Sequence, residues 1–555
     1  MKRLIRLFLL LIRPIIPKIR KIVPPMFWRV ARSLILKVKK LRKEYRANIY
    51  PVKIPRIKFL PDQDLILLEL PQRYIPMIPN GLGYVNNILK LTGVHFQTVD
   101  LNIICYHRYH SRRILCGLNK VVSASGYVMK DDPWDNVNSD EWSKPEVIEY
   151  FYPEINEIIN GLAKARPKII GISLSGTNRH IAGEIVKGIR KIDPDVIILV
   201  GGYDCVYPTV GPYLFPNYDY MVIGEAELTL GPLVKALVAG EKPKDMPGII
   251  SRYDSPNRDY KSGPYPQDLD ATDFPRYDWI DINLYRSYKG EQQTVPIISS
   301  RGCRWSRCRF CAECFLWRNR DPKKVVDEIE WWVEQGFRIF RFNESDMNGK
   351  PDALLEICDE ILRRRLKISF HGELRIHKCG TREFFKRLQA SGCNYLVFGV
   401  DGWTDHTLCL QSKGYTMDLV EKNLCNCHQA GIYVAVNIVI GVPGETEEDV
   451  QESIDNILKN KWHIDDFQNL NILILAAGSE YYKNPERYNI HFRGEKQELY
   501  EKHPYFIPPD LWYSINPYID YEIRLNRRER IYTGLVAGGM NITSYAKWQV
   551  KGDSQ

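Results

Sequence analysis

Short runs of Ile, Val and Leu, five to eight residues long, alternate with amphipathic stretches of helix length along most of this chain. They occur in two separate series. Runs this short are strands rather than membrane spans, and strands separated by helix-length segments pair in parallel. The first series covers about 55–250. It contains DLILLEL (64–70), VHFQTVDL (94–101), KIIGISLS (168–175), DVIILVGG (195–202) and YDYMVIG (218–224), with helical patterns between most of them. This predicts a doubly wound, Rossmann-like parallel sheet. The second series, 291–480, has six strands: TVPIISS, RIFRFNE, LKISF, YLVFGV, YVAVNIVI and FQNLNILIL. Six βα-type units predict a full or partial barrel with its chemistry at the C-terminal strand ends. The fold class is therefore α/β, with two core-forming domains and a small C-terminal region.

Three further segments complete the plan. Residues 251–290 are rich in Pro and Asp and read as a linker. Residues 103–150 look like a polar insertion in the first domain. Residues 481–555, rich in Tyr, Pro and Arg, read as a cap or tail.

Charge is distributed unevenly. The 555-residue chain carries +10, but its first 50 residues hold fifteen Lys/Arg against one acid, Glu44, and so carry +14. The remainder is mildly acidic at −4. Residues 1–54 form a basic arm in which apolar residues alternate with Lys and Arg. This pattern suits peripheral contact with an anionic membrane, at about 1 kcal/mol per basic residue near the surface. It also suits an arm packed on the body or on another subunit. No nucleic-acid partner is expected, because the body shows no matching basic stripe. The arm has no clear signal-peptide region, so a cytoplasmic location is expected, at the inner face of the membrane if the arm docks there.

Small residues gather at the ends of strands three and four of the first series: Ser173, Ser175, Gly201 and Gly202. Ligands of such sheets dock at these ends, where small side chains admit a bulky group, although the same residues also serve turns. The chain has thirteen cysteines, and most look like scattered core residues. Directly after the first barrel strand, however, comes SRGCRWSRCRFCAECFLW. Cys303, Cys308 and Cys311 have spacing C-x4-C-x2-C, with Cys314 as a spare. Three thiolates on one short loop form a soft metal site. Zinc ordinarily takes four ligands, often as two separated pairs. A three-cysteine loop suits a [4Fe–4S] cluster with one iron left open, and zinc stays the alternative on residues alone.

In family order over roughly 60–480, the chain resembles the cobalamin-binding radical S-adenosylmethionine (SAM) enzymes. The resemblance rests on Ser300-Arg301-Gly302-Cys303 opening the barrel, FNESDMN at 342–348, HGELR ending at Arg375, GVDG at 399–402 and NIVIGVPGETEEDV at 437–450. The family usually shows C-x3-C-x2-C, so this loop is one residue longer. The resemblance implies SAM contacts from Glu344 (or Asp346), Arg375, Asp401, Gly441 and Pro443; Asp401 stands where Gly-x-Glu-Ser is more usual. It also implies cobalamin against Ser173, Ser175, Gly201 and Gly202. No His lies between Asp64 and Val94, so the Asp-x-His-x-x-Gly cobalamin motif is absent and binding without a His ligand is expected.

The activity implied by this resemblance is C-methylation of an unactivated carbon, through a 5′-deoxyadenosyl radical and methylcobalamin. The substrate would be hydrophobic, such as a lipid or isoprenoid, and the reductant a ferredoxin or flavodoxin. Cyclisation, ring rearrangement or carbon–carbon coupling on a lipid, natural product or peptide is the alternative. A non-catalytic cobalamin- or metal-binding scaffold is a second, disfavoured by the intact SAM-region pattern. An RNA methylthiotransferase would show a further three-Cys domain, which this chain does not.

Overall fold

The computed structural model describes residues 50–549 except 73–76, 117–120, 124, 130–131, 136–140, 292–293, 314 and 544–548. Nearly all of the basic arm and Cys314 lie outside the described residues. Among those described, no helix is long and apolar enough to cross a membrane.

The first domain begins with β1 (Leu65–Glu69), α1 (Asn80–Lys90), β2 (Phe96–Asp100) and α2 (Leu101–Cys116). It continues through α3 (Pro145–Tyr150), α4 (Tyr152–Ala165), β3 (Ile169–Ser173), α5 (Arg179–Ile192) and β4 (Ile197–Gly201). It closes with β5 (Tyr220–Val222), α6 (Leu230–Val238) and β6 (Ile249–Ser251). The sheet order is β2-β1-β3-β4-β5-β6, parallel except for the antiparallel edge strand β6. All five residues of β1 are buried, because helices cover both faces. Leu65 and Leu67 face α1 and α6, while Ile66 and Leu68 face the opposite helices. Strand order reverses between β1 and β3, which opens a crevice at their carboxyl ends.

The barrel strands are β7 (Val295–Ile297), β8 (Ile339–Phe342), β9 (Ser369–Leu374), β10 (Cys393–Asp401), β11 (Tyr433–Ile440) and β12 (Asp466–Ile472). They pair in sequence order, all parallel, and β7 does not close on β12. This is the partial (β/α)6 barrel expected. Helices α7 (Pro322–Glu334), α8 (Pro351–Arg363), α9 (Arg382–Ala390), α10 (Met417–Gln429) and α11 (Glu447–Lys459) intervene. Asp321, Thr381 and Thr446 cap α7, α9 and α11, each accepting a backbone N–H of the first turn.

Three expectations change. The 103–150 stretch is no simple insertion: α2 is a 16-residue helix, and Tyr106, Tyr109, Trp134 and Trp142 are core. Its buried face is aromatic and His-bearing, which disguised the helical period. The 251–290 stretch is a strap rather than a free tether. Tyr285 donates to Asp100 (2.6 Å) in the first domain, and Tyr277 packs on Trp332 of α7. The C-terminal region carries α12 (Tyr521–Ala537), packed on α11 and β12, with Arg524, Arg527 and Arg528 buried. Buried arginines replace the apolar stripe, so the helical period was weak in the sequence.

Candidate functional site: a cysteine loop facing a cavity

The cysteine loop leaves β7 and is pinned at both ends. Ser300 and Arg301 pair antiparallel with Arg318 and Asn319. Gly302 has φ +79°, and a Cβ there would lie 2.6 Å from the carbonyl oxygens of Phe315 and Leu316, so only glycine fits. The Ser306 hydroxyl donates to the Cys303 carbonyl (2.6 Å), and the Cys311 N–H to the Cys308 carbonyl (3.1 Å). The Trp305 indole donates to the Ser412 carbonyl (2.8 Å) and covers Gly414. Cys303, Cys308 and Cys311 are all half-buried, and burial raises the Cys303 and Cys308 thiols above their usual range. Lys413 opposes that rise at Cys308. Among the described residues no three His, Cys, Asp or Glu converge on one metal ion. The donor set is three thiols on one loop, which fits a cluster, where each thiolate takes its own iron.

Glu344 stands beyond β8. Its Oε1 accepts the Ser299 N–H (3.0 Å) and the Ser299 hydroxyl, while its Oε2 is buried without a partner. Burial pushes this carboxyl up to about 7. Asp346 is engaged differently: it accepts the Arg304 N–H (3.2 Å) and lies 3.8 Å from the Cys303 sulfur. Glu344 thus keeps one buried oxygen, Oε2, for a cationic ligand, whereas both Asp346 contacts fall on its Oδ2 beside the cysteine loop. Arg375 lies over Trp305 and Tyr415 and donates to the Lys413 carbonyl; its Nε is buried and unpartnered.

Asp401 sits at the irregular end of β10 with φ +64°. Its partner is the buried Lys413 (2.5 Å), a residue the sequence did not single out. Gly441 has φ +75° and donates its N–H to Glu445 (2.8 Å). A Cβ at Gly441 would lie 2.2 Å from the Arg524 stem, so α12 covers this glycine. Pro443 is buried in the same turn. Glu445 is paired with Arg527 (3.0 Å), both almost fully buried, and burial pushes Glu445 up to about 7. Arg527 was also missed; its partner lies 82 residues away.

In the first domain an apolar cavity of about 320 Å³ opens at the β1/β3 crevice. Ser173, Gly201 and Gly202 line it, as does Gly171. Ser175 is not among its walls; it caps the short turn before α5. Gly202 has φ +108°, and a Cβ there would lie 2.5 Å from the Leu174 carbonyl. Two barrel residues, Ile298 and Arg301, complete the wall. Arg301 is held by Glu225 (3.1 Å) and Glu227 (2.6 Å) and lies over the Tyr84 ring. Arg318 binds the same Glu225 and the Pro266 carbonyl. The GEAE segment after β5 was the signal for this junction.

The model of the radical SAM superfamily matches residues 297–457, the segment that carries the cysteine loop, Glu344 and the Gly441 turn. The segment 297–457 is therefore similar to the radical SAM superfamily. An uncharacterised methyltransferase of Pyrococcus horikoshii is 25% identical over 308 residues, covering 54% of this chain and 66% of that protein. The anaerobic magnesium-protoporphyrin IX monomethyl ester cyclase of Synechocystis is 29% identical over 279 residues, covering 47% and 53%. The chain thus spans between half and two thirds of these relatives. Two solved structures share the fold across both domains. The radical SAM methyltransferase TsrM of Kitasatospora setae, with cobalamin and a [4Fe–4S] cluster bound, has TM-score 0.58 at 19% identity over 86% of this chain and 88% of that one. The cobalamin-dependent SAM radical enzyme OxsB has TM-score 0.62 at 15% identity, over 86% and 67%. The chain therefore shares the two-domain fold of these two structures.

Proposed function

We propose that the protein is a cobalamin-dependent radical SAM methyltransferase that acts on an unactivated carbon of a hydrophobic substrate. The observation that carries this reading is Arg301. It lies two residues before Cys303 and is itself a wall of the first-domain cavity, so the cluster loop and the cavity share one element. Bound together, a [4Fe–4S] cluster, SAM and cobalamin supply a primary carbon radical and a transferable methyl group.

The residues of this chain do the positioning. Cys303, Cys308 and Cys311 hold the cluster and leave one iron for SAM. Glu344 Oε2 would take the SAM amino group, and Arg375 would offer its Nε to the carboxylate. The Gly441–Glu445 turn, braced by Arg527, shapes the adenine side. The cavity walls take an apolar part of cobalamin, with Gly202 keeping the backbone close. Arg301 and Arg318, clamped by Glu225, keep the two sites in register.

Relatives named as methyltransferases support methyl transfer, and those named as cyclases make ring formation the second reading. The basic residues 1–50 support a lipid or isoprenoid substrate met at the cytoplasmic face of a membrane. The test is iron and cobalamin content of anaerobically purified protein, followed by transfer of labelled methyl from SAM into lipid extracts. Near-stoichiometric cobalamin, about four irons and a labelled lipid are expected. Iron without cobalamin would overturn the methyltransferase reading. Loss of residues 1–50 without loss of liposome binding would overturn the membrane part.

A further inference from the structure

The face of the barrel sheet turned away from the helices is polar. Alternate residues of a strand go to opposite faces. Phe370, Leu396, Phe398, Val434, Val436 and Ile438 sit in the core under the helices, so their strand neighbours face the lumen. Register sets those neighbours in rows. Arg341, His371, Tyr395 and Tyr433 stand side by side on β8 to β11 in the lowest row. Glu373, Val397, Ala435 and Asp466 form the next row, and Asn437 with Asn469 the one above it, towards the C-terminal strand ends. A closed barrel fills this space with branched apolar side chains. In these rows only Val397 and Ala435 are aliphatic.

Two acceptors on this face are buried without a partner: Asp466 Oδ1 and Asn437 Oδ1. Asp466 is 8% exposed, and its other oxygen accepts the Tyr433 hydroxyl (3.1 Å). Buried polar atoms left unpaired are costly, and a ligand that supplies donors removes the cost. On the far side of the lumen Arg341 and Glu373 pair with each other (3.0 Å), both half-exposed. His371 meets the Tyr395 ring edge-on, and burial beside Arg341 holds it down at about 4, so it is neutral at pH 7. Asn, Tyr and neutral His each donate and accept. Hydroxyl groups match them in both roles, whereas an ammonium group only donates and a carboxylate only accepts.

We infer that the barrel lumen binds a polyhydroxylated group, such as a sugar or cyclitol ring, carried by the substrate. This deepens the function proposed above and rests on it for where the reacting carbon lies. Asp466, Asn437 and Asn469 take hydroxyls on one side, the Arg341–Glu373 pair takes them on the other, and the stacked Tyr395 and Tyr433 rings (5.3 Å) form the floor. The upper end of the lumen meets the cysteine loop, because the Ser345 hydroxyl donates to Glu313, two residues beyond Cys311. A substrate that is otherwise hydrophobic is then an amphiphile whose polar end sits below the cluster loop.

The test uses the full-length, cluster-loaded protein. The probes are octyl glucoside, galactoside and mannoside, with 1-octanol, octylammonium and free glucose for comparison, all below micelle-forming concentrations. Kd comes from ligand-observed NMR titration. At least one glycoside should bind about tenfold or more tighter than 1-octanol. Asn437→Ala/Asn469→Ala should raise that Kd by about tenfold. Asn469→Ala alone, at a half-buried side chain, should act in the same direction and serves if the pair does not fold. Asp466→Asn keeps an oxygen for a hydroxyl donor and should change glycoside affinity by no more than about fivefold. Glucose binding as tightly as the glycosides would support the inference with a free sugar as the source, and a preference for the glycosides would support it with an amphiphile. Octylammonium binding tighter than every glycoside, and lost in Asp466→Asn, would overturn it in favour of an amine. Wild-type protein that cleaves SAM yet binds no glycoside better than 1-octanol overturns this inference alone. Protein that binds a glycoside yet cleaves no SAM overturns the radical reading and leaves the lumen site standing.

Discussion

Replacing Glu344 with Gln should make the SAM-free protein more tolerant of high pH while weakening its hold on SAM. The Glu344 carboxyl is 6% exposed, and burial lifts it from 4.5 to about 7. Between those values the folded protein keeps a proton that the unfolded chain has released. Stability therefore falls as pH rises from 4.5 through 7. A shift of this size costs about 3 kcal/mol above pH 7, with about 2.5 kcal/mol of it appearing between pH 5 and pH 8. Gln keeps an oxygen for the Ser299 N–H and hydroxyl, and it carries no charge at any pH. The melting temperatures of SAM-free wild type and Glu344→Gln, taken at pH 5 and pH 8, isolate the effect from other titrating groups. The gap should move in favour of the variant by roughly 2 °C between the two pH values for a chain of this length. A gap that stays constant would show that Glu344 is ionised and fully partnered in the SAM-free protein, and the reasoning would be refuted. Loss of a charge-assisted bond to the SAM amino group should also raise the SAM Kd by roughly ten- to a hundredfold.

Arg527→Met leaves Glu445 buried without its cation and should cost about 3–5 kcal/mol in urea unfolding; adding Glu445→Gln should recover most of it. Gly202→Val places a branched side chain at φ +108°, with its Cβ 2.5 Å from the Leu174 carbonyl. The strain should cost about 1–3 kcal/mol, and the purified protein should lack cobalamin yet retain its iron.

The sequence alone determined the two strand series, the position of the cysteine loop after the first barrel strand and the pair of acids in FNESDMN, because each is local. Strand runs such as Leu65–Glu69 and most of Tyr433–Ile440 are buried on both faces, so they read as nearly continuous apolar segments. Cys303, Cys308 and Cys311 lie within nine residues of one another, and their spacing is their chemistry. The tertiary structure alone decided which charges meet. Glu225 finds Arg301 76 residues away, and Glu445 finds Arg527 82 residues away; no periodicity marks either partner. Lys413 explains why Asp401 can be buried at an irregular strand end, yet nothing in GVDG announces it. The aromatic face of α2 and the buried arginines of α12 hid two helices, because pattern reading expects aliphatic stripes. Burial then separated the two acids of FNESDMN. Only folding sets Asp346 against the cysteine loop and leaves Glu344 with one oxygen unpaired, since desolvation and partnership are properties of the packed site rather than of the residues in it.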